Sequence, residues 1–254
     1  MQLNIRPAIA LLTGSALALA FPFGGCRRAP LTIDEIITRH TEAIGGKAAI
    51  ESIQSLRADL HIVDPGFEVD GIYRAARPGR MRIDVSAEGK HVFTEAFNGT
   101  RGWQWKGEGD AVEAKPEATA ALRRGVELPG KIFGLHELRG RGHKLSLSDR
   151  EQIDGKTYYV LKLTFSDGYT TSLYIDPETW LITRRRDYRP LHPDVDPRPT
   201  TIESVFSDFR TINGVQFSFK NVDTDLQTGR VLETATVKQI VVNPTIEDSA
   251  FDRL

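Results

Sequence analysis

The chain has 254 residues, and its 33 lysines and arginines nearly balance 34 aspartates and glutamates, giving a formal net charge of -1 at pH 7. The densest basic cluster is Arg184 to Arg186, and in a strand its side chains would alternate between the two faces. The sequence therefore has no basic stripe, which argues against nucleic acid as the partner. Apolar residues make up 40% of the chain, which is enough for a packed core and argues against disorder.

The N-terminal region has the pattern of an export signal. An apolar run from Ala8 to Phe21 suits a secretory signal peptide and is too short to span a bilayer. Two glycines then precede Cys26, the single cysteine of the chain. The pattern resembles the lipobox of bacterial lipoproteins, although Phe23 stands where leucine is usual, and an ordinary cleaved signal peptide with a chance cysteine is the alternative. We predict a lipoprotein signal peptide over residues 1–25, lipidation at Cys26 and a tether over 26–31.

The residue after the cysteine bears on localisation. Arg27 stands there, and not the aspartate associated with inner-membrane retention in enteric-type sorting. We therefore expect the protein in the cell envelope, lipid-anchored to the outer membrane and facing the periplasm, in a host with two membranes. No apolar run after the signal region is long enough to cross a bilayer, so the membrane is expected as a partner only through the anchor.

The mature domain, expected over residues 32–254, begins with helical patterns. Thr32 and Glu35 fit a capping box. Apolar residues then recur at helical spacing until Gly45-Gly46, where the helix is expected to end. A second short helical segment is predicted over residues 47–53.

From Leu56 onward the hydrophobic period changes from about 3.6 to 2, which indicates strands. Turn sequences such as Asn213-Gly214, a strong hairpin signal, separate the alternating runs. We predict about eleven short antiparallel strands with one apolar face and one wet face. Leu56, Ala58, Leu60 and Ile62 share one face of the first strand. The other apolar strand residues proposed for that face are Met81, Ile83, Val85, Phe93, Trp103, Trp105, Leu161, Leu163, Phe165, Phe217 and Phe219.

A different pattern interrupts the strands at residues 116–138. Pro116 suits a first helical position, and a helix is predicted to end at Gly125. A glycine-interrupted apolar segment follows, which contains Ile132, Phe133 and Leu135. It reads equally well as a lid over the sheet and as a permanent plug that completes the core.

Patterns that carry catalysis or bind metals are incomplete. His136-Glu137 begins a metalloprotease-like motif, but Gly140 stands where the second histidine is required. No G-x-S-x-G sequence and no phosphate-binding glycine loop occurs. The stretch from His192 to Asp196 carries hard ligands within a proline-rich loop. We predict no catalytic residue, no metal site and no cofactor; a hydrolase that uses unrecognised residues stays a third alternative.

The N-terminal helix, the long antiparallel sheet and the helical insertion, with hairpin sequences over 172–182 and 206–217, resemble the LolA/LolB-type lipoprotein carriers. The resemblance implies a mainly β fold, an incomplete antiparallel β-barrel with an N-terminal helix and helical lid pieces. It also implies a non-enzymatic, monomeric carrier or receptor that holds lipid or lipoprotein acyl chains between the concave face and the lid residues Ile132, Phe133 and Leu135.

Two features leave the role open. The receptor branch of that superfamily carries an apolar residue on a protruding hairpin, whereas the corresponding turn here, residues 87–90, is polar. The alternative function is a non-catalytic envelope-assembly or protein-interaction module whose sheet is filled by its own side chains. The volume of the cavity separates the two, because a carrier needs an open one.

Overall fold

The structure, a computed structural model, describes residues 30–191 and 198–253. The predicted signal peptide, Cys26 and the stretch from His192 to Asp196 lie outside the described residues. Within the described ranges, the helices are all too short or too polar to cross a membrane.

The described chain is mainly β, with three α-helices and two short 3-10 helices. The helices are α1 (Ile33–Ala43), α2 (Lys47–Glu51) and α3 (Pro116–Glu127), and the 3-10 helices are Leu135–Glu137 and Asp248–Phe251. The strands are β1 (Ser55–Asp64), β2 (Phe67–Ala76), β3 (Arg80–Ala87), β4 (Lys90–Phe97), β5 (Gly102–Trp105), β6 (Val112–Glu113), β7 (Lys144–Leu147), β8 (Glu151–Ile153), β9 (Lys156–Thr164), β10 (Thr170–Ile175), β11 (Ile182–Arg189), β12 (Thr200–Ile212), β13 (Val215–Asp225) and β14 (Val231–Val242).

These strands form one open antiparallel sheet in the order β6-β5-β4-β3-β2-β1-β14-β13-β12-β11-β10-β9-β7, with β8 paired to β9. The first strand pairs with the last in the middle of the sheet. The predicted fold class, an incomplete antiparallel barrel with an N-terminal helix, is confirmed. The described residues form fourteen strands and not about eleven, because β6, β7 and β8 have only two to four residues, too few for a periodic pattern to identify them.

Helix α1 starts as its sequence predicts. The Thr32 N–H donates to Glu35 Oε2 at 2.7 Å, and the Glu35 N–H donates to Thr32 Oγ1 at 3.3 Å, which completes the capping box. The helix buries Ile36 and Ile37 in a cluster that includes Leu161. The cap therefore fixes where the helix begins, and the apolar stripe fixes which face covers the sheet.

The turn between α1 and α2 packs directly on the β12–β13 hairpin. The Gln216 N–H donates to the Ile44 carbonyl at 2.9 Å. A Cβ on Gly45, whose φ is +124°, would lie 2.1 Å from the Gly214 carbonyl oxygen. Asn213 and Gly214 have φ of 48° and 80°, and positive φ at both central residues is what the predicted two-residue hairpin turn requires.

The apolar side chains on the concave face form two clusters. The first joins α2, α3 and the segment after it to β1–β4 and β13, with Phe133 and Phe217 among its buried members. The second lies under α1 and joins it to β9 and β10. Helix α1 therefore fills the part of the concave face over β9 and β10, whereas the part over β1 is covered less completely.

Candidate functional site: a cavity on the concave face

A partly open cavity of about 580 Å³ lies on the concave face. Its size is within the range of roughly 300–1,000 Å³ that is typical of small-molecule sites. Strand β1 contributes one complete alternating set, Leu56, Ala58, Leu60 and Ile62. Further apolar lining comes from Ile44, Tyr73, Met81, Ile83, Leu128, Pro129, Ile182, Phe206, Phe209, Phe217, Ala235, Val237 and Ile240. Another pocket, of about 520 Å³, lies beside α3 near Arg101 and Glu113 and has no such apolar set.

The roof of this cavity is the segment Leu128–Lys131, which follows α3. Leu128 has φ -57° and ψ 138°, so the chain leaves the helix in an extended conformation and crosses the sheet. The residues after the roof behave differently, because Ile132, Phe133 and Leu135 are at most 2% exposed. The mid-chain segment therefore combines the two readings: residues 128–131 cover the cavity, and residues 132–138 fill the core.

One arginine holds the filled part in place. The Arg77 side chain donates to the Ile132 carbonyl at 2.7 Å and to the Ile53 carbonyl at 2.8 Å. Its guanidinium also lies 4.7 Å from the centre of the Phe133 ring. The end of β2 is thus joined to α2 and to the mid-chain segment, as expected where that segment is a plug that completes the core.

The residues predicted to bind a ligand separate into groups. Met81, Ile83 and Phe217 line the cavity. Phe219, Ile132 and Phe133 are buried in the first cluster around it. Val85 and Phe93 pair with each other and are half-buried. They lie on the same face as Ile83 and Glu95, but outside the part of that face that lines the cavity.

Four of the predicted residues lie in the filled part of the concave face and not in the cavity. Leu135, Leu161 and Leu163 have no exposed surface, and Phe165 is 3% exposed. The physical reason is α1, whose apolar stripe occupies the space above β9. Alternation along a strand identifies an apolar face but does not show what covers it.

The two tryptophans of β5, Trp103 and Trp105, lie on the other face of the sheet. Trp105 pairs with Thr94 and Trp103 with Ala96, and directly paired residues share a face. Glu95, between those partners, lines the cavity, so both indoles point away from it. Trp105 instead stacks on His91, with ring centroids 4.6 Å apart. The expectation that they line the cavity is therefore corrected.

Several cavity residues were absent from the predicted set. The β1 face was recognised as a shared face but not as lining. The contributions of β14 and β12 were missed because those strands carry mixed sequences. Nothing in the sequence indicates that His40 or the cationic side chains line the cavity, because their positions depend on how α1 and the roof cross the sheet.

Two polar groups of the lining are buried without full hydrogen bonding. His40 Nδ1 lies 2.8 Å from the Trp180 carbonyl, which can only accept, so this nitrogen carries the proton. Its Nε2 is buried and has no hydrogen-bond partner among the described residues, and burial lowers the pKa of His40 to about 4. The Tyr73 hydroxyl is likewise buried without a described partner.

The described residues contain no group of three or more metal-ligating side chains. His136 lies 3.5 Å from Glu51, and His143 lies 3.4 Å from Glu127. These are pairwise contacts with different carboxylates.

Comparison with solved structures identifies the fold. The chain is similar to a LolA superfamily protein from Nitrosomonas europaea, with 15% identity, a TM-score of 0.56, and coverage of 88% of this chain and 98% of that one. It is also similar to a DUF1329 family protein from Desulfovibrio piger (13%, TM-score 0.58, 87% and 97%). A third similar structure is an outer membrane lipoprotein-sorting protein domain from Vibrio parahaemolyticus (11%, TM-score 0.57, 86% and 95%).

No family model and no curated protein matches the sequence. The resemblance to LolA/LolB-type carriers is therefore confirmed as a likeness of fold. The protein has a LolA-like fold.

Proposed function

We propose that this protein is a lipid-anchored envelope protein that binds the acyl chains of lipids or lipoproteins in the cavity, as a carrier or receptor and without catalysis. The observation that carries the proposal is the partly open cavity of about 580 Å³, walled by the alternating apolar face of β1 and roofed by Leu128–Lys131. The fold is the one found in the lipoprotein-sorting domain to which the chain is similar.

The energetics suit a carrier. Burial of each methylene contributes about 0.8 kcal/mol, so a sixteen-carbon chain gains on the order of 12 kcal/mol before ordering costs. A carrier must also release its ligand. A cavity that is partly open leaves some of the chain in water and so moderates that gain.

The alternative, an envelope-assembly or interaction module with a filled core, has support in one half of the molecule. The part of the sheet under α1 is filled by Leu161, Leu163 and their neighbours. The open cavity over β1 favours the carrier, because a module with a filled core has no reason to keep it.

Paired substitutions test the binding proposal. Leu60 is half-buried and lines the cavity, whereas Leu161 is fully buried in the filled half. Leu60→Gln should fold, since water in the cavity can satisfy the amide, and should lose lipid that co-purifies with the wild type in native mass spectrometry. Leu161→Gln should unfold easily, because an unpaired polar group in a dry core costs roughly 1–3 kcal/mol. A wild type that carries no lipid and binds no added acyl probe contradicts the proposal.

The anchor is tested separately. Cys26→Ser should move the protein from the membrane fraction to the soluble envelope fraction. The wild type should show acyl mass on its mature N terminus. A Cys26→Ser protein that stays in the membrane, together with a wild type without acyl mass, overturns the anchored form of the proposal and leaves the binding form standing.

A further inference from the structure

Lys131, the last residue of the roof, places its side chain in the cavity. The ammonium donates to the Gly125 carbonyl at 3.3 Å. It also lies over the Tyr73 ring, 4.4 Å from the centroid, at the distance of a cation–π contact. An ammonium has three donors, so the carbonyl and the ring leave at least one of them for another partner.

This cation differs from the arginines of the same lining. Arg185 Nε lies 2.6 Å from Asp187 Oδ2, and Arg189 Nη2 lies 3.0 Å from Asp223 Oδ2. Among the described residues, no carboxylate lies within ion-pair distance of the Lys131 ammonium, although the lining includes acidic side chains. The positive charge at the roof is therefore not compensated by the protein.

Lys131 is exposed, so water in the open part of the cavity reaches its side chain. Desolvation, with a smaller contribution from Arg185, nevertheless lowers the pKa of Lys131 to about 8. An anion placed beside the ammonium can pair with this charge through a charge-assisted hydrogen bond. The same cavity is also lined by the apolar face of β1.

We propose that the cavity takes amphiphiles with an acyl chain and an anionic head group, whose carboxylate or phosphate oxygens accept a hydrogen bond from the Lys131 ammonium while the chain lies on the β1 face. This inference rests on the proposed acyl-chain binding and adds the charge of the ligand. It makes Lys131 the residue that selects anionic amphiphiles over neutral ones of equal length.

Displacement of an uncharged fluorescent acyl probe from the purified chain tests the selection. The competitors are palmitate, hexadecyl phosphate and 1-hexadecanol, which share a sixteen-carbon chain. The wild type should prefer one or both anions over the alcohol roughly tenfold or more, as expected for a hydrogen bond to a charged group. Comparison of the two anions separates a carboxylate ligand from a phosphate ligand.

The variants assign the preference to one residue. Lys131→Met should bring the anions to within about twofold of the alcohol and leave alcohol binding unchanged, and Lys131→Arg should restore the preference. Lys162→Met is the matched control, because Lys162 is exposed between the buried Leu161 and Leu163 and points away from the concave face. It changes the net charge equally and should behave as the wild type.

The pH dependence provides an independent readout. Between pH 7 and 10 the preference for palmitate should shrink as Lys131 loses its proton, and it should persist in Lys131→Arg. The other titratable and charged groups of the lining are His40, Tyr73, Glu95, Arg185, Arg189, Lys220, Asp223 and Glu233. The pKa of His40 is lowered to about 4 and burial raises the pKa of Tyr73, so neither titrates in this window, and the arginine variant controls for the rest.

The outcomes separate the two proposals. Equal binding of anions and alcohol by the wild type overturns the selection by charge and leaves acyl-chain binding intact. Equal loss of all three competitors in Lys131→Met shows a structural role for Lys131 and also overturns it. Failure of every competitor and of the probe to bind the wild type contradicts the proposed function itself.

Discussion

Arg77 and Glu137 form a two-pronged ion pair across 60 residues of chain: Arg77 Nη1 lies 2.6 Å from Glu137 Oε1, and Nη2 lies 3.1 Å from Oε2. The carboxylate also accepts the Gly134 N–H at 2.7 Å. Burial opposes ionisation of this carboxyl, but the Arg77 and Gly134 hydrogen bonds prevail and hold the pKa of Glu137 below its ordinary value. The pair fastens the filled part of the mid-chain segment to the end of β2.

Loss of this pair should destabilise the fold. Glu137→Gln removes the charge and leaves a guanidinium that is only 20% exposed, so we expect about 2–3 kcal/mol less free energy of unfolding in urea. Arg77→Lys should not restore the two-pronged geometry. The control is Arg139→Gln, which breaks an exposed pair with Asp34 and should change stability by less than about 1 kcal/mol. Similar effects in both variants would contradict the role assigned to Arg77.

The contact between Gly45 and the β12–β13 hairpin predicts an unequal response of two adjacent glycines to alanine. Both have positive φ, but a Cβ on Gly46 meets nothing within 4 Å, whereas one on Gly45 meets the Gly214 carbonyl at 2.1 Å. Gly46→Ala should cost about 1 kcal/mol, from backbone strain alone. Gly45→Ala should cost at least about 2 kcal/mol more, because backbone must move. An equal decrease in melting temperature for both variants would show that the turn between α1 and α2 can move away from the β12–β13 hairpin.

The buried His40 predicts a loss of stability in acid. Burial lowers its folded pKa from 6.5 to about 4, so the unfolded chain binds this proton more readily than the folded one. The contribution is complete above pH 6.5 and is lost as the pH falls from 6.5 towards 4, by on the order of 3 kcal/mol. His40→Gln should flatten that part of the profile of unfolding free energy against pH, while His61→Gln, at a solvent-accessible site on β1, should leave it steep.

Removal of the Tyr73 hydroxyl should stabilise the protein. The oxygen is buried and has no hydrogen-bond partner among the described residues, so Tyr73→Phe should raise the free energy of unfolding by about 1 kcal/mol. The ring that supports Lys131 is retained. Tyr174 is the matched control, because it is also buried but donates to Glu151 Oε2 at 2.8 Å, so Tyr174→Phe should lower stability. A loss of stability in both variants would contradict the assignment of Tyr73.

The sequence predicts local structure better than it predicts the cavity. The capping box at Thr32 and the turn at Asn213-Gly214 depend on neighbours in the chain, and both form as predicted. Alternation correctly puts Leu60 with its β1 neighbours and Met81 with Ile83 on single faces. These features require only the periodicity of a strand and the chemistry of a turn.

What covers each face of a strand depends on packing between residues that are far apart in sequence. Leu161 and Ile83 have the same alternating context, but α1 covers one and water reaches the other. The tryptophans of β5 share a face, as predicted, and the register against β4 decides that this is the outer face. Lys131 is an ordinary lysine in sequence, and its place in the cavity follows from the path of the roof.

The open sheet has a mechanical consequence. The radius of a closed barrel is set by its strand number and shear, whereas here the terminal strands β6 and β7 each pair with one neighbour, β5 and β9. A change in curvature therefore breaks no hydrogen bond between these two strands. Both are also short, which leaves little backbone as a template for another chain. The sheet can therefore change its curvature, and the groove its width, without unfolding a strand.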